Sequence, residues 1–158
     1  MTDFLNAAAN GDIKIIKALL EQGTDVNTVN EEGSTALILA AEAGHPEMVQ
    51  LLVAQGAAVN QADQDGWTAL MGAASSGNGA IVEFLLEQGA EINAKTNFGV
   101  TALMGAAAKG HTDILKLLIE RGADLKAKDN NHWTAFIWAA EEKQTAAMEI
   151  LKQARGSD

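Results

Sequence analysis

Thr68-Ala69-Leu70-Met71-Gly72-Ala73-Ala74 decides the fold of this chain, because it returns. Thr35-Ala36-Leu37-Ile38-Leu39-Ala40-Ala41 precedes it, and Thr101-Ala102-Leu103-Met104-Gly105-Ala106-Ala107 and Thr134-Ala135-Phe136-Ile137-Trp138-Ala139-Ala140 follow, each 33 residues from the last. One more period back lies a worn copy, Thr2-Asp3-Phe4-Leu5-Asn6-Ala7-Ala8. A fixed period of this size marks stacked supersecondary units. The expected organisation is one elongated domain over 1–158, divided at 1–29, 30–62, 63–95, 96–128 and 129–158, with no single central core.

Each unit carries the same local signals. A tip rich in Asn, Asp and Gly comes first, as in Asp63-Gln64-Asp65-Gly66. Thr then opens a short Ala-rich helix, and Gly11, Gly44, Gly77 or Gly110 ends it, since glycine takes the left-handed conformation without a Cβ penalty. A second helix has apolar residues at helical spacing, such as Ile114, Leu115, Leu117, Leu118 and Ile119. The alanine pairs let the first helices approach closely, while Leu and Ile make the second helices thick. Such a wedge predicts a curved stack whose concave face is lined by tips and inner helices.

The repeated pattern resembles the ankyrin repeat family, whose signature runs G-x-T-P-L-H-x-A-A, G-H, a Leu-rich helix and G-A-D-V-N. The matching residues include Gly66-Trp67-Thr68-Ala69-Leu70-Met71-Gly72-Ala73-Ala74, Gly44-His45 and Gly23-Thr24-Asp25-Val26-Asn27. The resemblance implies an all-α solenoid of helix-turn-helix pairs with β-turn or hairpin tips. Two departures recur: Ala36, Ala69, Ala102 and Ala135 replace the family's proline, and Ile38, Met71, Met104 and Ile137 replace its histidine. Apolar packing is expected to hold these positions in place of the histidine's hydrogen bonds. In the first unit Asn6 and Ala18 replace the Leu, Gly or Trp and the large apolar residues of the others, and in the last Lys143 replaces the turn glycine and Lys152 an apolar residue, as expected of polar caps on a complete solenoid.

The charge is −10, with −8 on residues 1–79 and −2 on residues 80–158. Such a surface argues against nucleic-acid binding, which needs Lys and Arg to displace counterions, and favours a partner with a basic patch. There is no cysteine, so disulfides and Cys-based zinc sites are excluded. Neither a signal peptide nor a stretch of about 20 apolar residues is visible. The expected address is the cytoplasm, away from membranes.

Chemistry finds little purchase. His45 and His111 occupy equivalent places two units apart, so their rings should lie roughly 16–20 Å from each other. That is too far to share a metal, and His132 has no histidine near it. Ser75-Ser76-Gly77-Asn78-Gly79 fits no nucleophile or phosphate-loop frame. Glu31-Glu32 and Glu141-Glu142 fall at tips and helix ends. Met71 and Met104 follow the packing register. No catalytic residue, metal site or cofactor is expected, and the chain reads as a non-enzyme.

The aromatic residues point to binding instead. Trp67 and Trp133 immediately precede the threonine of their units, Val100 takes the matching place in the fourth, and Phe98 sits in the tip before it. The resemblance implies that such tip positions vary and contact partners, and Trp anchors bury large areas at little rotamer cost. The expected contact strip runs through Ser34, Asp65, Trp67, Asn97, Phe98 and Val100 to Asn131 and Trp133. Glu42, Ser76, Lys109 and Glu142 lie at its inner-helix edge. Trp138 shares the register of Gly72 and Gly105. It is expected either to lie across Gly105 or to wall a shallow pocket floored by both glycines. The partner expected is another protein. The alternatives are a small regulator or inhibitor acting through its acidic surface on an enzyme or nucleic-acid-binding protein, and weak pairing of an otherwise monomeric chain through its aromatic face.

Overall fold

The computed structural model describes residues 2–156. Among these residues lie ten helices in five antiparallel-reading pairs. The inner helices are α1 (Thr2–Asn10), α3 (Ala36–Ala43), α5 (Ala69–Ser76), α7 (Ala102–Lys109) and α9 (Ala135–Glu141). The outer helices are α2 (Ile13–Glu21), α4 (Pro46–Ala54), α6 (Gly79–Glu87), α8 (Thr112–Glu120) and α10 (Thr145–Gly156). No strand forms among the described residues; the hairpin tips shrink to isolated bridges such as Val29–Thr35 and Ala62–Thr68. No helix there is long and apolar enough to cross a membrane.

Local chemistry sets the boundaries. The Thr35, Thr68 and Thr101 hydroxyls accept from the backbone N–H of Ile38, Met71 and Met104 at 3.2–3.4 Å, satisfying a donor that the first helical turn leaves orphaned. Thr134 makes no such cap. Each tip is tied by its first residue: Asn30, Asp63, Thr96 and Asp129 each accept two backbone N–H groups, two and four residues on.

Packing follows the wedge that the alanines imply. Ala40, Ala41, Ala73, Ala74, Ala106 and Ala107 are fully buried, and the inner helices touch along the whole stack, whereas α4, α6 and α8 meet one another only sparsely. Leu52, Leu85 and Leu118 are fully buried in register and form the spine between the layers, with Leu151 continuing it. Ile38, Met71 and Met104 are buried too, so apolar packing does hold these positions; Ile137 is the exception and is exposed.

Consecutive units are then stitched together by polar groups. His45 Nε2–H donates to the Ala9 carbonyl at 2.9 Å, His111 Nε2–H to Ser75 O at 3.0 Å and Gln144 Nε2–H to Ala108 O at 3.2 Å. These bonds set the Nε2–H form of both imidazoles, because a carbonyl only accepts. Asn27, Asn60 and Asn93 each accept from a backbone N–H of the next unit (Ala58, Glu91 and Asp124) and donate to its helix-ending glycine carbonyl. The tips form a third ladder, Gln64 N–H to Glu32 O, Asn97 N–H to Asp65 O and Asn130 N–H to Phe98 O.

The glycines at these seams are constrained twice. Gly11 has φ +75°, and a Cβ there would lie 2.9 Å from His45 Nδ1 of the next unit. Gly44, Gly77 and Gly110 meet Asn78, His111 and Gln144 in the same way. Two of the equivalent glycine places in the last unit hold other residues. Lys143 (φ 57°) and His132 (φ 65°) are the only non-glycine residues with positive φ among those described.

The ends correct one expectation. Asn6, Ala18, Lys143 and Lys152 are exposed as caps should be, yet the caps are incomplete. Ile15 is 46% exposed where its equivalents Met48, Ile81 and Ile114 are buried, and Phe136 and Ile137 are exposed at the other end.

Leu118→Ala should lower the unfolding free energy by about 2–5 kcal/mol, since a spine leucine leaves a cavity its neighbours fill only partly; an unchanged denaturation midpoint would contradict the packing. Lys143→Gly should raise it by about 1 kcal/mol by relieving the left-handed backbone. A fall in the urea midpoint would show that the Lys143 conformation carries no strain.

Candidate functional site

Three neighbouring units build one groove. From the second come Ser34, Ile38 and Glu42, spaced four residues apart so that they follow one line along α3. The third contributes Asp63, Asp65 and Trp67 from its tip, and the fourth contributes Thr96, Phe98 and Val100. The groove is open, with a volume of about 380 Å³. Of the residues expected from the sequence, it gathers Ser34, Glu42, Asp65, Trp67, Phe98 and Val100.

Their situations differ. Phe98 is 61% exposed and has its backbone fixed by the Thr96 hydroxyl, which accepts its N–H at 3.2 Å. The ring therefore projects from a rigid tip. Trp67 is half-buried and packs against the hydrophobic core, and its indole Nε1 is buried with no hydrogen-bond partner. Trp67 is thus shared between the groove and the core. Ser34 is buried, 8% exposed, so it contributes to the groove wall and not to an open contact strip. Asn97 is exposed, but its side-chain amide donates to the Gln64 carbonyl at 2.7 Å, so it is occupied in the tip ladder.

Neither Gly72 nor Gly105 lines this groove. A Cβ on Gly72 would lie 3.3 Å from Glu42 Cβ, and one on Gly105 would collide with the Ser75 hydroxyl. Each glycine makes room for the end of the preceding inner helix, and at Gly72 the Glu42 Cβ lies against that room while the residue as a whole is exposed. At Gly105 the place a Cβ would take is held by Ser75, and Trp138 is not among the three nearest atoms there. It turns to its own tip instead. Trp138 Nε1–H donates to Asp129 Oδ2 at 3.0 Å, and its ring meets Trp133 edge to face with centroids 5.2 Å apart. Asp129, only 5% exposed, also accepts the backbone N–H of Asn131 and Trp133, so three donors offset the burial of its carboxylate.

The remaining candidates stand apart from the groove. Asn131, Ser76, Lys109 and Glu142 are exposed but none lines it. Sequence reasoning missed other hollows, two of them in the end units. One, about 680 Å³, lies beside Leu5, Asn6, Ala9, Leu39 and the tip Asn30-Glu31-Glu32; the signal for it was the absent tip of the first unit. The other lies at the last unit, around Phe136. Electrostatically the main groove is one-signed: Glu42, Asp63 and Asp65 line it, with no basic side chain. No cluster of three or more metal-ligating side chains occurs among the described residues.

The family model described as ankyrin repeats (3 copies) matches residues 4–96 and 93–158. No curated protein matches the chain.

Phe98→Ala should leave the thermal midpoint within about 2 °C of the parent, as expected for an exposed side chain away from strained or buried features. Trp67→Ala should destabilise by about 2–4 kcal/mol through lost core packing. Equal effects of the two substitutions would refute the different placements of these rings.

Proposed function

Since the chain belongs to the ankyrin repeat family, whose members are generally protein–protein interaction modules, we propose that it binds a partner protein through the groove between the second, third and fourth units. The observation that carries this reading is Phe98: a large apolar ring, 61% exposed, held on a tied tip beside Trp67. Exposed aromatic anchors on pre-organised backbone are the usual source of hot-spot energy, because little freedom is lost on docking. The carboxylates of Glu42 and Asp65 at the same groove favour a partner that presents a Lys or Arg next to an apolar side chain. We read the chain as a non-enzymatic binder, in keeping with the typical role of its family.

A second reading has support in the charge of −10: a small regulator that covers a basic surface by electrostatics, with the aromatic residues secondary. The two differ in what removes binding. Screening at 1 M salt shortens the Debye length to about 3 Å and would abolish a purely electrostatic complex, whereas an aromatic anchor persists.

The test is affinity capture followed by titration of the purified captured protein. Phe98→Ala should weaken it about 30-fold or more, as expected for a hot-spot ring, while Ser76→Ala, outside the groove, should leave it unchanged. Equal binding by Phe98→Ala with complete loss at 1 M salt would replace the first reading with the second.

A further inference from the structure

A pocket of about 210 Å³ lies where the fourth unit meets the last, between the loop at 125–128, the start of α9 and the last turns of α10. Its floor is apolar, made by Leu125, Phe136 and Leu151, and its rim is basic, made by Lys126, Lys128 and Arg155. No acidic side chain lines it, in a chain whose net charge is −10. Among the described residues the one ion pair is Arg121 with Glu83, so none of the three rim cations has a carboxylate partner there.

The repeat register explains the hollow. Phe136 stands where Leu37, Leu70 and Leu103 stand; those are buried, whereas Phe136 is 37% exposed. Lys126 stands where Asn27, Asn60 and Asn93 bridge to the next unit. A lysine cannot accept the backbone N–H that those asparagines accept. The seat has thus exchanged its neutral stacking chemistry for positive charge over an apolar floor.

We propose that this pocket binds a small free carboxylic acid bearing a short apolar chain. The chain lies on Phe136 and Leu151, and the carboxylate sits among Lys126, Lys128 and Arg155. Size supports the class: the cavity is below the range of about 300–1,000 Å³ typical of larger ligands. Charge supports the sign, since cations above a low-dielectric surface focus their field on an anion. This site is separate from the groove of Phe98 and does not depend on the partner-binding reading.

The experiment titrates hexanoate into the full chain and follows backbone amide shifts by NMR. Saturable shifts are expected at residues 125–136 and 151–155. Acetate, lacking the chain, and hexanol, lacking the charge, should each bind about tenfold more weakly. The triple variant Lys126→Gln/Lys128→Gln/Arg155→Gln should lose about tenfold for hexanoate and none for hexanol. Lys14→Gln/Lys17→Gln, at the far end of the chain, should change neither. The proposal is overturned if hexanoate gives no saturable shifts at the pocket, if hexanol binds as well, or if the triple variant binds hexanoate unchanged while keeping the parent's helical circular dichroism.

Discussion

Consecutive units approach each other so closely at the inner turns that no side chain fits between them. At Gly11, Gly44, Gly77 and Gly110 the backbone is left-handed, and the side chain of the next unit occupies the place a Cβ would take. The contact lets His45, His111 and Gln144 reach back 36 residues to a carbonyl of the preceding unit. Together with the asparagine and tip ladders, it fixes the offset between neighbours. The hydrophobic spine supplies attraction without direction; these short polar bridges supply the register.

That register makes the groove possible. A tip flexing on its own would pay ordering entropy whenever something docked against it. Here each tip is tied internally by Asn30, Asp63, Thr96 or Asp129 and externally to its neighbour through backbone hydrogen bonds. Phe98 is therefore presented by a backbone with almost no unpaired donors, and the exposed ring is the part left free. The same tying turns Trp133 and Trp138 inward: with Asp129 as a shared acceptor, the two rings pack on each other and on their own loop.

The first and last described units depart from the pattern of the three between them. Lys143 and His132 take left-handed places that glycine holds in the other units, and Ile15 and Phe136 are exposed where their equivalents are buried. At the last unit, lysines and an arginine surround the uncovered ring. Polar substitution there has gone beyond solubility and has produced a hollow with its own sign of charge, opposite to that of the Phe98 groove.

The sequence alone determined the period, the helix pairs and the core, because burial at 33-residue spacing and glycine at helix ends act locally and repeat. Leu52, Leu85 and Leu118 could be assigned to a spine from their register alone, and they are fully buried. Phe98 and Asp65 could be placed at a tip by the same counting. Only the tertiary structure decided the fate of the individual tip residues. Trp67 packs on the core, Ser34 is buried, Asn97 is spent on a neighbouring carbonyl, and Trp138 pairs with Asp129 and leaves Gly105 to Ser75. Each of these outcomes depends on which atom of an adjacent unit lies within about 3–4 Å. Counting along one chain fixes which unit is adjacent, but the rise and rotation between units fix which atoms meet.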